Sequence, residues 1–227
     1  MTTLSRQGDL LRPERDGRLS KARKARLRLT KRLVPGKLGE VGSVAGVDAI
    51  YEGERVYAAA VVLSVPDLLP LAHAEAVTRS AFPYIRGFFA FREAPALLKA
   101  VRALPFQPDL LMIHGHGYAH PDRFGLASHT GVLLDIPTIG VAEHLMTGSV
   151  DRLPLFPGEA VPVLDAGEVI GLAVCTRRGA HPLYISAGHK TTLEDAARAV
   201  AATTRTHRLP EPLHLADRQS RYFRSVS

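Results

Sequence analysis

The chain has 227 residues, 46% hydrophobic and 22% charged, enough to bury one sizeable core. It holds no run of 18 apolar residues, and its arginine-rich start lacks the apolar segment of a secretory signal, so a cytoplasmic protein with no membrane contact is expected. A lone Cys175, set in the apolar run 170–175, excludes a disulfide framework and reads as a buried, inert thiol; the net charge of +7 sits at one end, since residues 1–33 carry 11 Lys/Arg against 3 Asp/Glu and the rest of the chain sums to −1.

Taken in order, residues 1–18 are polar and without apolar periodicity, a basic flexible arm before one domain over 19–227. Leu19 to Leu33 places leucines among basic residues as a helix with one packed stripe, and Pro35 and Gly36 end it. Val44 to Asp48 and Tyr57 to Val65, joined across a turn at Glu52 and Gly53, read as a hairpin, with a third strand over Leu71 to Thr78. A loop follows over Phe82 to Glu93, then a helix over Ala94 to Ala103 with Pro95 in its first turn, then an interior strand over Asp109 to Ile113. Residues 151–168 read as a loop with a short edge strand, Val169 to Thr176 and Leu183 to Ser186 as a strand pair, and Leu193 to Thr204 as a helix capped by Thr192. From Arg208 the chain reads as a basic surface tail. Three antiparallel strands followed by parallel strands, flanked by helices, is the order of a ribonuclease H-like mixed α/β sheet.

Chemistry concentrates between Pro108 and Gly148. An apolar strand there runs into His114, Gly115, His116, Gly117 and His120; a second apolar run, Gly131 to Ile136, precedes a Thr-Ile-Gly turn and Glu143. Glycine lets backbone approach a ligand, and a strand end fixes geometry, so this corner is the expected site. Bland readings compete elsewhere: His129 as a satisfied packing histidine, His189 as a turn residue or a phosphate contact, and Glu75, Asp122, Asp135 and Glu168 as solvated surface.

The segments VAGVDAIY (44–51), FPYIRGFFAFRE (82–93), GHGYAHPDRFGLASHTGVLLDIPTIGVAE (115–143), ISAGH (185–189) and LPEPLHLAD (209–217) resemble the endonuclease V family in order and spacing. That resemblance implies Mg²⁺- or Mn²⁺-dependent nicking of DNA or RNA near deaminated purines, chiefly hypoxanthine, and a role in DNA repair. It places metal ligands at Asp48 and Glu93, with Asp217 at the family's C-terminal His/Asp position. It also implies a strand-separating wedge at Pro83, Tyr84, Ile85 and Arg86, where the family has a second proline. The base pocket falls on Gly87, Phe89, Gly115, Gly117, His120, Gly125, Leu126 and Met146.

Two positions depart from the family. The family's Asp-Gly-Gln-Gly is here His114, Gly115, His116, Gly117, so a metal carboxylate becomes an imidazole. Its Gly-Val-Ala-Lys is Gly140, Val141, Ala142, Glu143, so a phosphate-facing cation becomes an anion. Mg²⁺ favours oxygen ligands, and an anion about 4 Å from a phosphate repels it by a few kcal/mol even at a dielectric near 20. The reading preferred on these grounds is a repurposed, metal-independent enzyme without cofactor, lyase- or transferase-like, in a biosynthetic pathway. In it His114, Asp48, Glu93 and Glu143 perform acid–base chemistry. Tyr84, Arg86, His116, His120 and His189 would then hold a small anionic substrate, with a protein partner left open. Two alternatives stand beside it: a nuclease with Mg²⁺ or Mn²⁺ on Asp48, Glu93 and His114, and a non-catalytic nucleic-acid-binding homologue.

Overall fold

A computed structural model describes residues 17–227, and residues 1–16, most of the expected arm, lie outside the described residues. Helix α1 (Arg18–Thr30) precedes a meander of β1 (Ser43–Glu52), β2 (Arg55–Ser64) and β3 (Pro70–Arg79). Then come α2 (Ala90–Arg102), β4 (Leu110–His114), α3 (Leu126–Leu134), β5 (Thr138–Ala142), β6 (Ala160–Asp165), β7 (Glu168–Val174), β8 (Leu183–Ala187), α4 (Leu193–Thr203) and α5 (Glu211–Val226). The strands form one sheet in the order β3-β2-β1-β4-β5-β8-β7-β6. The first three are antiparallel, β4 joins β1 in parallel, β5 joins β4 in parallel, and β8, β7 and β6 return antiparallel. This is the expected mixed α/β sheet.

Side-chain alternation along the strands builds a core on each face. Ala45 and Val47 of β1 and Leu111 and Ile113 of β4 pack with Ala96, Leu97, Ala100 and Val101 of α2. Their neighbours Val44, Leu110 and Met112 point the other way, against Val200 of α4 and Leu213 of α5. Thr192 caps α4 with a full capping box to Asp195, as its sequence position suggested.

Three segments differ from their sequence reading. Helix α2 starts at Ala90, so Glu93 belongs to its first turn and Pro95 lies inside it; Phe88 is buried and packs with Phe91, drawing that turn down. The apolar run Gly131 to Ile136 is largely the second half of α3, and the buried strand is the Thr-Ile-Gly segment itself. The chain after Arg208 is no surface tail. Helix α5 buries Leu213, Ala216 and Ser220 at helical spacing, and it approaches β1 so closely that a Cβ on Gly46 would stand 2.0 Å from the Pro212 carbonyl oxygen.

Candidate functional site

Parallel pairing aligns Val47 of β1 with Ile113 of β4, so the next residues, Asp48 and His114, stand side by side on the α5 face. The His114 imidazole Nδ1 lies 3.0 Å from Asp48 Oδ1. β5, the next strand over, ends at Ala142 and delivers Glu143, while α2 brings Glu93 and α5 brings Asp217 to the same corner. Burial works against a charged His114, but the Asp48 hydrogen bond and the charges of Asp48, Glu143 and Asp217 outweigh it and raise its pKa. Burial and then the Asp48 charge push the Glu93 carboxyl up to about 7.

Glu143 is not a free anion. Arg208 Nη1 donates to its carboxylate at 2.6 Å, while the same guanidinium donates to the carbonyls of His181 and Pro182 at 2.8 and 3.1 Å. Arg221 pairs with Asp217 at 2.8 Å. Repulsion of phosphate by Glu143, expected from the sequence, is therefore offset where it arises.

A cavity of ≈ 560 Å³ opens beside this corner. Every residue expected to bind substrate lines it except Gly117 and His189. Gly117 serves close packing, since a Cβ there would meet the Ala187 carbonyl oxygen at 2.1 Å. His189 is structural: Val34 N–H donates to its Nδ1 at 3.2 Å and its Nε2 lies 3.1 Å from Asp135. Arg86 spans part of the mouth, donating to the Met146 carbonyl at 3.1 Å. Within the cavity, burial first and then a neighbouring charge hold His116, His120 and His129 down to about 4, so at neutral pH these rings are uncharged. Together with Phe89, Phe124 and Leu126 they make a wall suited to a flat neutral ring, while Arg26, Arg86, Glu93 and Glu143 line the rest of the cavity.

Sequence reasoning missed Arg208, Arg221, Arg26, Tyr51 and Phe124. The buried stripe Leu213, Ala216, Ser220 was the signal that would have placed Arg221 on a helix over the site. Arg26 carried no such signal; it is held by Asp122 at 2.7 Å and the Gly87 carbonyl at 2.9 Å.

A family model described as Endonuclease V matches residues 24–218. The Endonuclease V of Roseiflexus sp. (strain RS-1) is 48% identical over 179 residues, 79% of this chain and 81% of that protein. That of Streptomyces coelicolor is 46% identical over 185 residues, 81% of this chain and 79% of that protein. The crystal structure of the Streptomyces avermitilis Endonuclease V superposes with a TM-score of 0.85 at 40% identity, covering 91% of this chain and 92% of that one. Ciona intestinalis Endonuclease V, in complex with a 24mer DNA containing an inosine followed by a ribo-adenosine, superposes at 0.79 with 27% identity, covering 93% and 100%. These relatives overturn the preferred expectation of a metal-independent, lyase- or transferase-like enzyme on a small substrate. Two of the features that suggested an anion-handling centre are also neutralised in place: His116 and His120 are uncharged, and Glu143 is paired with Arg208.

Proposed function

The chain belongs to the endonuclease V family, and on that premise we propose that it is a divalent-metal-dependent nuclease that nicks nucleic acid beside a deaminated purine, hypoxanthine foremost. The observation that carries the reading is the cavity walled by Phe89, Phe124, Leu126 and uncharged histidines, which His114 and Glu93 also line and which opens beside Asp48. A nucleotide rotated out of its stack would place its base in that cavity and its phosphate toward the acidic corner. No helix among the described residues is long and apolar enough to cross a membrane.

The donor set fits a divalent cation with one change of character. Among the described residues no three His, Cys, Asp or Glu side chains are grouped as a ready metal site. Asp48, Glu93 and Asp217 nevertheless offer carboxylate oxygens, and Glu93, raised to about 7 by burial and Asp48, is a carboxyl that a nearby cation would return to its charged form. His114 adds a nitrogen in place of an oxygen, which suits Mn²⁺ better than Mg²⁺. When bound, such a cation polarises a phosphodiester and acidifies an attacking water. The chain's own residues do the rest. Asp48 orients the His114 ring through Nδ1, Arg208 cancels Glu143, and the cavity walls hold the base while excluding water.

An oligonucleotide with a single inosine tests this. Nicking is expected with Mn²⁺, less with Mg²⁺, and none in chelator; Glu93→Gln should abolish it, and His114→Asp should shift preference toward Mg²⁺. No cleavage with either metal, or cleavage indifferent to chelator, would refute the proposal.

A further inference from the structure

Strand β3 is one edge of the sheet, ten residues long, and among the described residues no strand pairs with its outer side. A free edge offers a row of backbone donors and acceptors to another strand, and proteins usually guard it. Here Pro70 and a bulge opposite Val62 and Leu63 guard only the start. The direction of the free groups follows from one bond: Ser80 N–H donates to the Glu54 carbonyl at 2.8 Å. Hydrogen-bonded pairs in an antiparallel ladder recur at every second residue, and the register holds from Arg79 to Ala72. Thr78, Ala76 and Ala74 therefore turn their amides to β2, while Val77, Glu75 and His73 turn theirs outward. The side chains divide the same way. Ala72, Ala74 and Ala76 pack into the core beneath α2, whereas Leu71 and His73 line a groove against Leu215 and Tyr222 of α5, and Glu75 accepts from Gln219 of that helix.

We propose that β3 pairs with β3 of a second copy of this chain, antiparallel about a twofold axis at Ala74, joining two sheets into one. Backbone direction and side-chain chemistry select this register independently. Outward amides meet outward amides only when odd-numbered residues face odd-numbered residues, which excludes every register that pairs odd with even. Centring on Glu75 would set that carboxylate against its own copy, and centring on His73 would set imidazole against imidazole and Leu71 against Glu75. Centring on Ala74 sets His73 opposite Glu75 of the second copy, twice over, a pair complementary in charge and in hydrogen bonding. It also sets Leu71 opposite Val77 of the second copy, covering apolar side chains that are 49% and 37% exposed in the single chain. Neither metal nor substrate enters this contact, so it stands apart from the nuclease reading.

Sedimentation equilibrium on the full chain, without metal or nucleic acid, tests the association. The mass should rise with concentration from 24.6 kDa toward twice that value. His73→Glu, which sets like charges opposite each other at both ends of the contact, should weaken association roughly tenfold or more, and adding Glu75→Lys should restore it. Val77→Pro removes an N–H that β2 does not use, so the fold should persist while association is lost. Mild oxidation reads the register. The two Ala74 residues form a non-hydrogen-bonded pair with Cα atoms about 4.5 Å apart, within disulfide reach, so Ala74→Cys should yield a covalent dimer. Val77→Cys, whose two copies stand about 20 Å apart in this register, should not. The one native cysteine, Cys175, is buried and does not compete. A mass fixed at 24.6 kDa up to the solubility limit, or parent-like association in Val77→Pro, would overturn the pairing. Cross-linking through position 77 in place of 74 would overturn the register.

Discussion

At residue scale the corner is a balance between burial and charge, and pH exposes it. Glu93 has its pKa raised to about 7 in the folded chain, so between its unfolded value near 4.5 and about 7 the native state binds the extra proton. Stability from this group is fully present below that window and is lost as pH rises through it. His114, raised above its ordinary value, acts in the same direction. In chelator, the metal-free protein should therefore lose about 1–3 kcal/mol between pH 5 and pH 8 through Glu93, and Glu93→Gln should remove that part of the slope. Denaturant melts at the two pH values measure it; equal slopes in parent and variant would show that Glu93 titrates normally. Asp48, Glu93 and His114 were legible because each sits in a short, ordered motif. The fate of Glu143 was not, because its partner Arg208 comes from 65 positions away.

Helix α5 shows what decides an element. Its composition suggested a basic tail, yet Leu213, Ala216 and Ser220 form a buried stripe, and tertiary contact with β1 and β2 overrides the surface charge. The contact depends on Gly46. A methyl there would overlap the Pro212 backbone by more than an ångström, so Gly46→Ala should cost at least about 2 kcal/mol and depress activity by displacing Asp217. Thermal unfolding with a parallel nicking assay checks this; an unshifted midpoint would mean α5 can step back freely. Strands β1, β2 and β3 were readable from β-rich runs and a turn, whereas α3 was not, since a short apolar run does not distinguish a buried helix from a buried strand.

Across the whole molecule, positive charge is segregated to the beginning of the chain while the body is close to neutral. Lys21, Lys24 and Arg28 of α1, with Lys31 at its C-cap, lie opposite the buried stripe of Leu19, Ala22 and Arg26, and all four are exposed. Under the nuclease reading these cations meet backbone phosphates beyond the cavity. Replacing all four with glutamine should flatten the log–log salt dependence of oligonucleotide binding by roughly two to three units. An unchanged slope would place the nucleic acid on another face. The Arg208–Glu143 pair has its own long reach, joining the α4–α5 connection to the end of β5. A lysine at position 143 would confront a guanidinium already pinned by two backbone carbonyls, and a neutral residue at 208 would leave a bare carboxylate in the corner. Neither position can change alone without a penalty, so the two act as a single unit. Changing either alone would put like charges in contact or leave one uncompensated.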